Sequence, residues 1–600
     1  MRSRQLFVFF CVVALAGLSV LYIRAPSSVA QVKVPPAPIP HAPVTTPVHP
    51  EKTTDKEDPK PPKQGTENGD AQAESTSSHP IWTLIRKAEK EHEKKVERQS
   101  KTLDQAVAEY RKRYRIPPPP NFDKWYEFAT KRGVQLIDEY DSIQQTLTPF
   151  WGLKPETIRA RAREALGHPA NNLIGALIRN GKVKKVDGAW NDWQKNATVG
   201  MMDGFIQYLP DMDLPFNVHD EPRVVIPYDD LERLVKAAKE VKMPAANANK
   251  TPRNSWTKTP KDMSSGERLD DVKYTRFNVF AHQNVWTHSR MSCPTDSPSR
   301  TLEDGPKEDN IASYAFHELG FVNNKTAFSD ICQSPSLRET FGFFERPNAY
   351  NLVHDLFPIF SQSKISSYSD IIYPSPWYWA GKVKYDDLKE MPWKNKFNKF
   401  YWRGSTTGGF SRNGGWRRQH RQKIVTDVNS HGQTKILVNK GSAGKEDWKV
   451  TEVPRSTYSK LFDIFFSNVG QCDEDDCKVQ SEFFDVKPGV EQQDAWQYKY
   501  LLDMDGNAFS GRFYAFLESL SLVFKMAVFR EWHEEWLTPW VHYVPLSLRG
   551  TEWVETLRWF DREEKGMGEA ERLALEGRGW AKKVLRNEDI EVWFFRLLLE

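Results

Sequence analysis

Net charge is almost absent from this sequence, which carries +4 over 600 residues. That is too little for the basic stripe of a nucleic-acid binder, and no nucleic-acid partner is expected. Cysteine is scarce, at five. The one close pair, Cys472 and Cys477, has acidic residues between and no histidine pair nearby, which is poor spacing for zinc. The common nucleotide and hydrolase signatures are missing as well. Gly441-Ser-Ala-Gly-Lys445 has the wrong spacing for a phosphate-binding P-loop, and there is neither a G-x-G-x-x-G nor a G-x-S-x-G. His317-Glu318 lacks the second histidine of a zinc protease. These absences exclude P-loop kinases, simple dehydrogenases, serine hydrolases of the elbow type and helix-borne zinc proteases. No internal repeat is evident.

Aromatics, by contrast, make up 12% of the chain, with 21 tryptophans, and offer stacking surfaces for sugars or nucleotides. The one long apolar run, Leu6 to Ile23, follows Arg2 and Arg4. At about 18 residues it is just long enough to span a bilayer and reads as a type II signal anchor. A cleaved signal peptide ending near Ser28-Val-Ala30 competes with it. Either way the chain enters the secretory pathway, with a Golgi membrane location and a lumenal catalytic region expected. Cys293 with Cys332 and Cys472 with Cys477 are the disulfides favoured by sequence proximity. The sequons at Asn196, Asn249 and Asn324 fit the same compartment.

Composition divides the chain into a cytosolic tip and anchor over 1–24, a disordered Pro/Thr/Lys/Glu stem over 25–80 and a helical stalk over 81–120. The stalk reads as one solvated helix of about 50 Å at 1.5 Å per residue, ended by Pro117 to Pro120. The catalytic region then comprises an acceptor-side part, 121–360, and a donor-side part, 361–600. Short strands are expected at Phe205–Leu209, Val224–Tyr228, Tyr274–Ala281, Asp370–Tyr373, Lys399–Arg403, Lys435–Val438 and Val541–Pro545, interleaved with helices. That pattern is α/β.

Chemistry concentrates in three stretches. Leu501 to Lys525 reads strand, glycine loop, helix, strand, with Ser510-Gly511-Arg512 opening the helix. Free backbone N–H groups and a fixed cation there suit a phosphate, although Ser510 as a mere helix cap fits equally. Lys399 to Arg412 is a strand ending in a Gly/Ser/Thr loop, so that Arg403 and Arg512 can together grip a diphosphate, with Arg417, Arg418 and Arg421 solvated or paired on the following helix. Asp211-Met-Asp213 and Asp503-Met-Asp505 are D-x-D pairs of the kind that bind a metal–diphosphate, a motif short enough to arise by chance. Finally Asp220 follows the apolar Phe216–Val218 and precedes Pro222. A carboxylate at a strand end can serve as general base, though an arbitrary Asp in that setting more often caps a turn.

Seven blocks in order carry a resemblance: Leu209-Pro-Asp-Met-Asp through Asn217 to Pro222, Phe360-Ser-Gln-Ser-Lys364, Pro374-Ser-Pro-Trp-Tyr-Trp379, Tyr401-Trp-Arg-Gly-Ser405, Asp505-Gly-Asn507, Ser510-Gly-Arg512 and Pro539-Trp-Val-His-Tyr-Val-Pro545. Together they resemble glycosyltransferase family 90, which holds fungal capsule-associated xylosyltransferases and animal protein O-glucosyltransferases. The resemblance implies a GT-B fold, two Rossmann-like domains facing a cleft, and inverting transfer from UDP-xylose or UDP-glucose to a glycan, glycolipid or protein, without cofactor or required metal. It places Asp220 as catalytic base and Arg403, Gly404, Ser405, Ser510, Gly511 and Arg512 around the donor. Arg412 matches more loosely, because its loop is longer and richer in glycine than in the animal enzymes. Two other functions remain open at this point: a non-catalytic, membrane-tethered carbohydrate-binding protein of the same fold, and a metal-dependent transferase using Asp503 and Asp505.

Overall fold

The apolar runs at Leu501 and Leu522 become neighbouring parallel strands in the computed structural model, which describes residues 78–600 apart from 189–191, 250, 268, 270, 301–307 and 443–444. The expected anchor and all but the last residues of the stem lie outside the described residues. Among those described, no helix is long and apolar enough to cross a membrane.

Strands are numbered in chain order: β1 Leu173–Arg179, β2 Lys182–Gly188, β3 Met212–Asn217, β4 Phe360–Ser361, β5 Ile371–Ile372, β6 Phe397–Ser405, β7 Gln433–Asn439, β8 Trp448–Pro454, β9 Phe462–Asn468, β10 Tyr498–Met504, β11 Leu522–Met526 and β12 Val544–Pro545. The donor-side sheet has the order β9-β6-β10-β11-β12 and is parallel throughout. All of β11 and most of β10 are buried, as continuous apolar strands covered on both faces must be. The first strand in sequence lies between the second and third, so the winding direction reverses between β6 and β10. Open α/β sheets bind ligands at that reversal, beyond the carboxyl ends of the strands. Strands β7 and β8 form a separate antiparallel hairpin.

The other sheet, β2-β1-β3-β4-β5, is mixed, which corrects the expectation of a second Rossmann-like sheet. β1 runs antiparallel to both β2 and β3, whereas β3, β4 and β5 are parallel. Asn180 and Gly181, at φ of 51° and 66°, make the two-residue turn that brings β2 back along β1. Because β4 and β5 belong to this sheet, it extends past the expected division at residue 360. Of the other expected strands, Phe205–Leu209 is instead a 3-10 turn, Ile206–Tyr208, and Val224 makes only an isolated bridge to Val353.

The expected solvated stalk is two packed helices, Pro80–Glu97 and Leu103–Tyr114, separated where Thr102 caps the second. Ile81, Leu84, Ile85 and Ala88 form a stripe at helical spacing that is buried despite the dense charge around it. His79 Nε2 meets Glu555 at 2.9 Å and His92 Nδ1 meets Thr538 Oγ1 at 3.1 Å, so this segment is fastened to the carboxyl-terminal part. The last helix, Asn587–Leu599, returns the other way onto helix Phe122–Lys131. Phe595 stacks on Phe205 with centroids 4.6 Å apart, and Trp125 Nε1 donates to the Val592 carbonyl at 3.1 Å. Both expected disulfides, Cys293–Cys332 and Cys472–Cys477, are formed, and Asn196, Asn249 and Asn324 are exposed. Because Phe595 is fully buried, Phe595→Ala should destabilise the fold by about 3–5 kcal/mol in denaturant unfolding. A loss below about 1 kcal/mol would mean that the terminal helix is not part of the core.

Candidate active site

The reversal between β6 and β10 gathers two arginines. Arg421, on helix His420–Val428, is buried and turns inward, donating from Nε to the Asp505 carbonyl at 2.8 Å and from Nη1 to Ser405 O at 3.2 Å and Thr407 Oγ1 at 2.8 Å. Arg512 donates from Nη1 to the Arg403 carbonyl at 2.6 Å. Both guanidinium groups lie under 6 Å from the Trp402 ring, at 5.6 Å and 5.9 Å. Burial, and then the neighbouring Arg512 charge, push Arg421 down to about 9. Burial also lowers Arg512, against the pull of Asp503. Two like charges held this close out of water call for an anion.

Arg403 is placed differently from the expectation that it would pair with Arg512. Neighbouring residues on a strand face opposite sides, so Trp402 faces the arginine pair and the Arg403 side chain faces away. Its Nη2 meets Asp463 Oδ1 at 2.5 Å and its Nη1 donates to Asp463 O at 2.8 Å, while its carbonyl accepts from Arg512. Arg421, expected to be solvated or paired on its helix, takes the place foreseen for Arg403. Gly404 continues β6 where a Cβ would collide with Trp402 at 2.5 Å. Ser405 ends the strand. Arg412 lies at the tip of the following loop, paired with Asp473 at 2.6 Å. Ser510 O accepts from Tyr378 Oη at 2.7 Å and Gly511 O from Trp377 Nε1 at 3.2 Å, so the Pro374–Trp379 block clamps the loop that carries Arg512.

The D-x-D carboxylates are turned to structural partners. Asp503 Oδ2 pairs with Lys525 at 3.0 Å, and Asp505 Oδ2 accepts from Val528 N at 2.7 Å and Phe529 N at 3.1 Å. Asp213 pairs with Arg179 at 2.8 Å and Asp211 accepts from Asn180 N at 2.7 Å. Among the described residues no group of three or more potential metal ligands is clustered.

Asp220 lies just past the carboxyl end of β3. Its carboxylate is open to solvent, yet enough protein surrounds it that dehydration raises it above its ordinary range. A group that is accessible and partly dehydrated at once belongs to the wall of a cleft. Glu221 beside it is buried, and that burial, with the Asp220 charge adding, pushes it up to about 8. The loop is held by a buried polar frame. Arg223 donates from Nε to Asn217 Oδ1 at 2.6 Å, Asn217 Nδ2 donates to Glu221 O at 2.7 Å, and Asp370 accepts from the backbone N–H of Arg223 at 2.9 Å and of Val224 at 2.8 Å. Lys364 Nζ donates to Asp370 O at 3.0 Å.

Segment 342–349 joins the two halves of the site. Ala349 N donates to Glu221 Oε1 at 3.0 Å, and Phe410 N, in the loop after β6, donates to Arg346 O at 2.6 Å. His282 stacks on Phe410 with ring centroids 3.6 Å apart.

The profile of glycosyl transferase family 90 matches residues 344–600, the span that contains both arginines. Over this span the chain is similar to glycosyltransferase family 90. O-glucosyltransferase rumi of Drosophila melanogaster is 26% identical over 264 residues, covering 40% of this chain and 53% of that protein. Protein O-glucosyltransferase 1 of Homo sapiens is 25% identical over 288 residues, 44% of this chain and 62% of its own, and protein O-glucosyltransferase 2 of Danio rerio is 29% identical over 105 residues, 17% and 20% respectively. The chain thus spans about half the length of the first two. The family 90 span begins after Asp220, so the Asp220 loop stands on its own geometry.

Asn217→Ala would remove the Arg223 Nε acceptor and the brace on Glu221 together. Urea unfolding should show a loss of about 1.5–3 kcal/mol, the range for a hydrogen bond to a charged group. An unchanged midpoint would mean that the frame does not hold the base loop.

Proposed function

We propose that the chain is an inverting glycosyltransferase that moves xylose or glucose from a UDP-sugar to a hydroxyl of a glycan, glycolipid or protein acceptor. The observation that carries this reading is the arginine pair at the strand reversal, Arg421 buried and Arg512 half-buried, whose charges suit a diphosphate. Asp220 stands on the base loop joined to it through segment 342–349. The relatives named O-glucosyltransferases support the reaction class. Xylose and glucose differ by one hydroxymethyl group, which a few pocket side chains discriminate.

In the reaction, the Asp220 carboxylate takes the proton from the acceptor hydroxyl as its oxygen attacks the anomeric carbon. The bond from that carbon to the β-phosphate oxygen breaks on the opposite face, which inverts the centre. The electron pair leaves with UDP, whose growing charge Arg421 and Arg512 stabilise, joined by the backbone donors of the 404–412 and 510–512 loops. The polar partners of Asp503 and Asp505 favour this charge stabilisation by arginine over a D-x-D metal. A GT-B arrangement, with the mixed and parallel sheets on the two sides of a cleft, accommodates this division of labour. Two disulfides fit an oxidising lumen, and the apolar run before residue 24 would anchor the enzyme there, in the Golgi membrane.

Asp220→Asn should lower transfer by about 10²- to 10⁴-fold, the usual worth of a general base, with UDP affinity nearly unchanged. Wild-type turnover in that variant would discard the assigned base. Arg421→Ala and Arg512→Ala should each weaken UDP binding in calorimetry and slow transfer, whereas Arg403→Ala should act mainly on stability through Asp463. Equal loss of UDP affinity in all three would return Arg403 to the donor site. The pH profile supplies a separate check. Asp220 must be ionised to act, and its acidity is weakened by dehydration, so activity should appear as pH rises through a value above the ordinary aspartate range of about 3.9. An acid limb of kcat/KM at or below about 4 would contradict a dehydrated base. A panel of UDP-sugars assayed with purified protein would then choose the donor.

A further inference from the structure

The loop after β6 is costly to order. Gly408, Gly409, Asn413 and Gly414 all have positive φ, at 107°, 143°, 53° and 74°. A chain rich in glycine loses much conformational freedom when fixed, so something must hold this shape. On one side the loop rests against Gly342, where a Cβ on Gly409 would meet the Gly342 carbonyl at 2.6 Å. On the other side nearly every tie runs to one short segment, 468–476. Thr406 N donates to Asn468 O at 3.1 Å, and Thr406 Oγ1 and Gly470 N share a bond of 3.0 Å. Ser411 N donates to Gln471 O at 2.8 Å and receives Asp473 N on its carbonyl at 3.0 Å. Ser411 Oγ and Gly414 N both reach Asp476, at 2.6 Å and 3.0 Å.

That segment has no core of its own. Of residues 468–476 only Asp476, itself bonded to the loop, is buried. What closes it is the Cys472–Cys477 bond, which ties the strand that pairs with Ser411 to the first turn of helix Glu474–Phe483. The other disulfide is differently placed: Cys293 is fully buried and Cys332 is 8% exposed, so apolar packing surrounds it.

We propose that Cys472 and Cys477 are positioning residues for donor binding. Their bond holds segment 468–476 in the shape on which the 406–414 loop is moulded, and through that loop it sets the backbone donors beside Arg421. The Cys293–Cys332 bond serves stability instead. This inference rests on the reading of the site as a UDP-sugar site.

The test compares the full chain with two double variants, reading UDP affinity by calorimetry and the thermal midpoint in parallel. Cys472→Ser/Cys477→Ser should bind UDP about tenfold more weakly, as a loop in its binding shape about a tenth of the time would, with the midpoint nearly unchanged. In turnover the donor KM should rise while kcat at saturating donor stays near wild type. Cys293→Ser/Cys332→Ser should show the converse, a lower midpoint with UDP affinity kept. UDP affinity within twofold of wild type in the Cys472/Cys477 variant overturns the proposal, as does an equal loss in both variants. If the first variant does not fold, Ser411→Ala, which cuts the tie to Asp476 while sparing the bond, should weaken UDP binding in the same direction. Unchanged affinity there is equally fatal. A wild-type chain that does not bind UDP at all removes the donor reading itself, a result distinct from the others.

Discussion

Two guanidinium groups gathered at the strand reversal, Arg421 buried and Arg512 half-buried, are the constraint on which the rest of this structure depends. Arg421 and Arg512 cannot be left near each other out of water unless the protein spends hydrogen bonds on them or a ligand supplies negative charge. The protein does the first only in part. Arg421 gives three bonds to Asp505 O, Ser405 O and Thr407 Oγ1, and all three acceptors are neutral. Arg512 gives one to another carbonyl. Carbonyl oxygens orient a guanidinium without cancelling its charge, so the pair stays electropositive and geometrically fixed. A site with those two properties suits an anion before any ligand arrives, and pre-organisation of this kind lowers the cost of stabilising negative charge.

Holding such a site steady requires walls that do not yield, and the chain supplies them from distant parts of its sequence. The Pro374–Trp379 block clamps the loop of Arg512, segment 342–349 ties the loop after β6 to the base loop, and the first and last helices cross over to brace the opposite ends. The base loop follows the same rule with a different material. Its frame of Asn217, Arg223 and Asp370 is polar and buried, and a buried polar frame is rigid only when its members are satisfied. Arg223 reaches both Asn171 and Asn172 carbonyls besides Asn217, which leaves its charge well bonded beneath an Asp that must remain free.

Much of the parallel sheet was legible, because buried parallel strands are written as plain apolar runs. Leu501 and Leu522 announced β10 and β11, and the glycines between them announced the loop. The loop of Asp220 had its own local signal, a polar stretch between the apolar Phe216–Val218 and Pro222. What escaped was set by side-chain direction and by distance. Arg403 and Arg421 look alike as letters, but strand alternation turns the first toward Asp463, and helix packing turns the second inward. The stalk was misread because its lysines and glutamates outnumber a narrow apolar stripe, and only the tertiary partner shows that the stripe is covered. The β1–β2 hairpin had a local signal, Asn180-Gly181 between two strand-like runs, which is the chemistry a tight antiparallel turn requires.

The D-x-D sequence shows how a short motif changes meaning with its surroundings. Asp503 and Asp505 are two apart at the end of a strand and therefore share a face. That face looks toward Lys525 and the amides of Val528 and Phe529. Burial pushes Asp505 up to about 7 and Glu531 up to about 8, so near neutral pH both spend much of their time protonated. Lys525, raised by Asp503 and Glu531 against its own burial, keeps its charge. Asp503 Oδ2 meets that ammonium at 3.0 Å. With Arg421 and Arg512 above it, the cluster is left with positive charge uncompensated. A divalent cation would add to that excess, whereas an anion removes it, so the two aspartates that invite a metal reading in the sequence stand in a cluster that favours added negative charge.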